Sequence, residues 1–231
     1  MTLKSSLIVA LDFSDFESAK NMVELLGDEV GFYKIGLEMM MSGCYFDAIK
    51  YLKDNNKKIF ADLKFHDISN TVGAAVRNLS KLDADLITIH AGSKDMMKAA
   101  AENKGNSKVI AVTVLTNLDE TDVVDMGFDK SLSLDDLVLK KAKMAIDCGL
   151  DGVVSSALRA KNLRANLGND FLIVSPGIRL GNDNSNDQKQ VADVKTAITN
   201  GSSHLVVGRP ITKSPNPKES ATLFQEMIVS G

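Results

Sequence analysis

The sequence predicts an α/β protein: eight parallel strands alternating with helices, closed into a single-domain (β/α)8 barrel over residues 1–231. Three observations point there. Eight short apolar, β-branched runs alternate with longer amphipathic segments along the whole chain, as expected of a parallel sheet covered by helices. The length, 231 residues, is close to the ~250 residues usual for such a barrel. No linker rich in Pro, Ser or Gly divides the chain. The alternation alone also fits an open doubly wound sheet; strand count and length favour closure.

The strand-like runs are SLIVALD (6–12), VGFYKIG (30–36), KIFADLK (58–64), DLITIHA (85–91), KVIAVTVL (108–115), DGVVSSA (151–157), FLIVSPG (171–177) and SHLVVGR (203–209). Helical segments lie between them. Ser14 is placed to cap FESAKNMVELL, with Glu17 three residues on as the partner of a capping box. Ser69 or Asn70 opens TVGAAVRNLSKL. Ser133 precedes LDDLVLKKAKMAIDCG, where Gly149 reads as a C-terminal stop. The last helix follows Pro217, and GNDNSNDQ (181–188) reads as a mobile loop after the seventh strand.

Composition excludes several function classes. Hydrophobic residues are 44% and charged residues 25%, an ordinary globular balance rather than a disordered chain. The net charge is -3 and there is no basic run, so nucleic acid is not an expected partner. Three Tyr and no Trp leave little for base stacking. The apolar start is too short to span a membrane, so no membrane association is expected. Cys44 and Cys148 lie far apart without motif spacing, which fits free thiols and a cytoplasmic protein. Histidines are scattered and no metal-binding spacing occurs, nor any Gly-rich nucleotide string. Met39, Met40 and Met41 read as packing residues.

Polar residues interrupt the strands in a pattern. Parallel strands buried on both faces should read as continuous apolar runs, and a charge within one is costly unless paired. Here Asp12, Lys34, Asp62 with Lys64, His90, Thr113, Ser155, Ser175 and Arg209 fall toward the C-terminal ends of successive runs. In a barrel these ends converge on one mouth, where active sites lie. Asp62 and Lys64, two apart on a strand, share a face. With Asp67 on the following loop and Lys34 on the neighbouring strand, they form a cluster of two ammoniums and two carboxylates. Such a cluster reads either as a structural ion-pair network or as catalytic machinery. Pro176, Arg179, Gly208 and Arg209 follow the seventh and eighth strands, the usual phosphate site of these barrels. There Gly208 permits close backbone approach and Arg209 offers a bidentate fork.

Taken in order, ALDF with Asp12, KIGLE with Lys34, DLKFHDI with Asp62, Lys64 and Asp67, NTV with Thr71, VTVLT with Thr116, SPGIR with Arg179, DQ with Gln188 and VVGRPI with Gly208 and Arg209 resemble the orotidine 5'-phosphate decarboxylase family in its bacterial form. The resemblance covers essentially the whole chain. It implies a homodimeric (β/α)8 barrel that converts orotidine 5'-monophosphate to UMP in de novo pyrimidine biosynthesis, with no metal and no organic cofactor. It also implies roles. Lys64 would be the proton donor and Asp62 would lie beside the departing carboxylate. Asp67 would come from the neighbouring subunit and, with Lys34, complete the charged network. Asp12 with Lys34, and Thr71 across the interface, would hold the ribose. Thr116 would belong to the loop over the base; Pro176, Arg179, Gln188, Gly208 and Arg209 would serve substrate binding, the last four on the phosphate side. Two positions depart from the family pattern: Ser69 stands where proline is common, and Asn117 replaces the serine that contacts the pyrimidine. Two other readings compete. A magnesium-dependent sugar-phosphate decarboxylase on the same barrel places an acid where this chain has Lys34. A non-catalytic phosphometabolite-binding barrel explains Arg209 but not the Asp62/Lys64 pair.

Overall fold

The computed structural model describes residues 6–180 and 190–231. Gln188 and the 181–188 loop therefore lie outside the described residues. All eight expected strands are present: β1 (Leu7–Ala10), β2 (Phe32–Gly36), β3 (Lys58–Phe65), β4 (Leu86–His90), β5 (Lys108–Val112), β6 (Gly152–Val154), β7 (Leu172–Ser175) and, last, β10 (His204–Val207). They are parallel and form a closed barrel, with β10 pairing to both β7 and β1. The two-residue strands β8 (Ile178–Arg179) and β9 (Ala192–Asp193) pair with each other outside the barrel.

The continuous apolar runs follow from burial on both faces. Ile8, Ala10, Phe32, Phe60, Leu86, Ile110, Val112, Val154, Val174 and Val206 fill the barrel interior. Leu7, Val9, Tyr33, Ile35, Ile59 and Ala61, on the alternate positions, face the helices. Each Val, Leu, Ile or Phe side chain among them contributes about 1.5–3 kcal/mol through burial. Close packing also selects Gly152: a Cβ there would lie 2.2 Å from the Leu172 carbonyl oxygen.

The helices are α1 (Phe16–Leu26), α2 (Leu37–Met41), α3 (Tyr45–Asp54), α4 (Ser69–Lys81), α5 (Lys94–Glu102), α6 (Glu120–Asp125), α7 (Leu134–Asp147), α8 (Ala157–Leu167), α9 (Val194–Thr199), α10 (Arg209–Thr212) and α11 (Pro217–Ser230). Their buried residues follow helical spacing, as Ala19, Val23 and Leu26 do on α1. Ser133 caps α7 by accepting from the Asp136 N–H, as expected; such a cap stabilises by about 1 kcal/mol. Gly149, just past α7, takes the left-handed conformation with φ 84°. The expectation for α1 is corrected: Asp15, not Ser14, is its N-cap and accepts from the Ser18 N–H at 2.7 Å. Ser14 Oγ instead donates to Glu38 Oε1 at 2.7 Å. Helix α4 begins at Ser69, with Ile68 at the N-cap and no side-chain cap. Among the described residues, no helix is long and apolar enough to cross a membrane.

Candidate active site

A cavity of about 510 Å³ opens at the C-terminal ends of the barrel strands. Its floor is the top of the barrel interior: Ala10, Phe60, Val112, Val154, Val174 and Val206. Its polar wall gathers residues from opposite ends of the sequence, because barrel closure puts β1 next to β10. Asp12, Lys34, Asp62, Lys64, Thr116, Pro176, Arg179, Gly208 and Arg209 all line it.

The charged residues form a chain across three neighbouring strands. Lys34 Nζ donates to Asp12 Oδ1 at 2.7 Å and lies 3.7 Å from Asp62 Oδ2. Lys64 Nζ donates to Asp62 Oδ2 at 2.8 Å. Lys34 and Asp62 are buried, each 9% exposed, so the electrostatics are those of a partly dry site. Burial alone pushes the Asp62 carboxyl up, but Lys34, Lys64 and the hydrogen bonds from Lys64 and Thr88 outweigh it and hold the group below the usual carboxylate range. Burial likewise disfavours the Lys34 ammonium, but Asp62 and Asp12 outweigh it and raise the pKa. Both groups are therefore charged at neutral pH. Lys34 is not at the end of its strand, since β2 runs on to Gly36.

Asp62 and Lys64 share a face, as the spacing suggests, but not on a regular strand. Register with β4 shifts between Ala61 and Phe65, and Lys64 has a left-handed backbone with φ 50°. This is an uncommon conformation for a residue with a Cβ and is concentrated at functional sites.

Three expected residues are not on this chain's cavity wall, and two of them, Asp67 and Thr71, are the ones the resemblance assigns to the neighbouring subunit's pocket. Asp67 is exposed, and its Oδ1 accepts from the Ile68 N–H at 2.6 Å within its own chain. Thr71 and Asn117 are also exposed, and none of the three is on the cavity wall. Some strand-end polar groups are structural. Thr113 Oγ1 donates to the Val154 carbonyl at 3.0 Å, and Ser175 Oγ lies 2.8 Å from Ser202 Oγ. The His90 ring packs beside His66, centroids 5.5 Å apart. Burial, reinforced by His66, Lys141 and Lys64 and opposed by Asp62, lowers its pKa.

The sequence reading did not single out Glu38, Thr212 or Lys213, all on the wall. Glu38 follows β2 on α2, and Thr212 and Lys213 come one turn after Arg209. Their signal was their distance past a strand end, which the strand pattern alone does not reveal. Arg179 is buried, and its Nη1 donates to the Ile178 carbonyl at 3.1 Å. Arg179, Arg209 and Lys213 give the cavity wall three further cations, suited to a phosphate dianion. Among the described residues, no group of three or more His, Cys, Asp or Glu is arranged to hold a metal ion.

Comparison with known proteins gives consistent relatives. The family model described as Orotidine 5'-phosphate decarboxylase / HUMPS family matches residues 5–224. The orotidine 5'-phosphate decarboxylase of Methylococcus capsulatus is 47% identical over 223 residues, covering 96% of this chain and 91% of that protein. That of a Caulobacter species is 44% identical, covering 96% of each. The crystal structure of the Lactobacillus acidophilus orotidine 5'-phosphate decarboxylase superposes with a TM-score of 0.86 at 37% identity, covering 97% of this chain and 99% of that one.

Proposed function

The chain belongs to the orotidine 5'-phosphate decarboxylase / HUMPS family, and from that premise we propose how its residues act. The activity itself is that of a carboxy-lyase converting orotidine 5'-monophosphate to UMP in pyrimidine biosynthesis. Losing carbon dioxide from C6 of the pyrimidine leaves an electron pair in the plane of the ring. The ring π-system delocalises such a pair poorly, so the site must stabilise it electrostatically. Lys64 does so. Its ammonium faces C6 as the C6–carboxylate bond breaks, then gives C6 a proton and becomes a neutral amine, which regains a proton from water. The observation that supports this most directly is the 2.8 Å contact of Lys64 Nζ with Asp62 Oδ2 on the cavity wall. Asp62 aims the ammonium and lies beside the carboxylate that leaves.

Asp12 and Lys34 hold the ribose. Arg179, Arg209, Gly208 and Gln188 bind the phosphate, Pro176 lines the substrate cavity, and Thr116, with the exposed Asn117 beside it, belongs to the loop over the base. Phosphate binding is remote from C6, so its energy can serve the transition state rather than the ground state. No metal or organic cofactor takes part. The enzyme acts as a cytoplasmic homodimer in which Asp67 of the partner subunit completes the Lys34/Asp62/Lys64 network and Thr71 of the partner subunit reaches the ribose. The exposure of Asp67 and Thr71, with Ile68 between them 71% exposed, supports that arrangement. The test is Lys64→Ala: a folded protein, by circular dichroism, whose decarboxylation is slower by several orders of magnitude. Turnover near wild type in that variant would refute the role of Lys64.

A further inference from the structure

The distortion in β3 is built around one residue of β4. Ala61 pairs with Ile87 and Phe65 with Ile89, so Asp62, Leu63 and Lys64 together stand opposite Thr88 alone. Extra residues in a strand leave ladder groups without partners. The Lys64 N–H is such a group, and Thr88 Oγ1 accepts it at 2.9 Å. The same hydroxyl donates to Asp62 Oδ1 at 3.0 Å. Thr88 is completely buried and is not part of the cavity wall.

We propose that Thr88 is a positioning residue for decarboxylation: its single hydroxyl holds Lys64 in its left-handed backbone and fixes the rotation of the Asp62 carboxylate. With Oδ1 engaged by Thr88, Oδ2 is left for the Lys64 and Lys34 ammoniums, at 2.8 and 3.7 Å. Donor and acceptor capacity of the hydroxyl are both used, which sets the direction of its proton. A valine has the same shape and neither function. The hydroxyl thus couples the main chain of one proposed catalytic residue to the side chain of the other. Sub-ångström misplacement of such groups is enough to slow chemistry. Because Thr88 does not reach the substrate, its loss should act on the chemical step and leave binding of the nucleotide almost intact.

The inference rests on the reading of Lys64 as proton donor, and the experiment separates the two. Thr88→Val, Thr88→Ser and Lys64→Ala are compared with wild type for kcat and KM on orotidine 5'-monophosphate, with circular dichroism and thermal melting as the check of folding. Expected results are a kcat at least tenfold lower for Thr88→Val with KM within threefold of wild type. Thr88→Ser, which keeps the hydroxyl, should recover kcat to within threefold. A Thr88→Val enzyme with kcat within threefold of wild type would overturn the positioning role. So would equal losses in the Val and Ser variants, because the variant that keeps the hydroxyl would then be no better than the one that lacks it, and a general packing defect would be the cause. If Thr88→Val does not fold, Thr88→Cys replaces it. Its weak hydrogen bonding predicts a kcat below that of Thr88→Ser at similar KM, and equality of the two overturns the proposal. Near-normal turnover in Lys64→Ala would instead refute the proton-donor reading, whatever the Thr88 variants do.

Discussion

The imidazole of His204 meets the ring of Phe32 edge-on, centroids 5.8 Å apart, at the start of the last barrel strand and thus at the end opposite the cavity. His204 is 3% exposed. Burial, with Lys108 and Lys58 adding repulsion, lowers its pKa from 6.5 to about 4. The unfolded imidazole takes its proton near pH 6.5, the folded one only near 4, so protonation favours the unfolded chain. This contribution to stability is complete above pH 6.5 and is lost as the pH falls toward 4. It is worth on the order of 3 kcal/mol. Urea melts at pH 7, 5.5 and 4 are expected to show wild type losing more stability across that range than His204→Leu. Parallel losses in the two proteins would remove His204 as a cause.

Arg209→Ala is expected to lower kcat/KM for the intact nucleotide by an amount equivalent to roughly 2–5 kcal/mol, the range for truncating one partner of a hydrogen-bonded charge pair. A nucleoside substrate lacking the phosphate gives the guanidinium nothing to bind, so its turnover should change little. Equal losses on both substrates would assign Arg209 to the fold instead.

Subunit mixing tests the shared site. Lys64→Ala and Asp67→Ala homodimers should each be nearly inactive. In a hybrid, one pocket takes Lys64 from one chain and Asp67 from the other, while the second pocket lacks both. Random exchange makes about half the dimers hybrid, so recovered activity should approach about a quarter of wild type. Hybrids verified by native mass spectrometry but without recovered activity would place Asp67 in its own chain's pocket.

Metal removal is expected to change nothing. Decarboxylation followed by loss of the substrate's ultraviolet absorbance should proceed at the same rate with and without excess EDTA. A loss of activity restored by magnesium would contradict the cofactor-independent reading.

Much of this molecule was legible in its sequence because burial on both faces leaves a strong signal. Runs such as LIVA and KVIAV are too short for helices and too apolar for exposed strands, and each became a barrel strand. Charge within such a run stands out, which is why Asp62, Lys64 and Lys34 could be found together. Thr88 could not. In LITIH a threonine is an ordinary β-branched strand residue, and its hydroxyl matters only because the opposite strand is distorted there. That distortion had no marker either, since Lys64 adopts a conformation usually given to glycine or asparagine. The cap of α1 was misplaced by one residue because Ser14 and Asp15 are both good capping residues, and only the chain direction decides between them. Strands of two residues, such as Ile178–Arg179, are shorter than any periodicity can register.

The pairing of β1 with β10 has a consequence for how the chain is made. The first strand to leave the ribosome hydrogen-bonds to the last. At about 5–20 residues per second, synthesis leaves β1 waiting on the order of ten to forty seconds for its neighbour. Throughout that interval β1 is one edge of an open sheet, and β7, once made, is the other; unpaired edges template association with other chains. Asp12 and Arg209 share a cavity wall only once β10 has closed the gap. A product truncated before His204 would thus be no weakened catalyst. It would be an unclosed sheet with half a substrate site, and its fate would be capture by chaperones or aggregation.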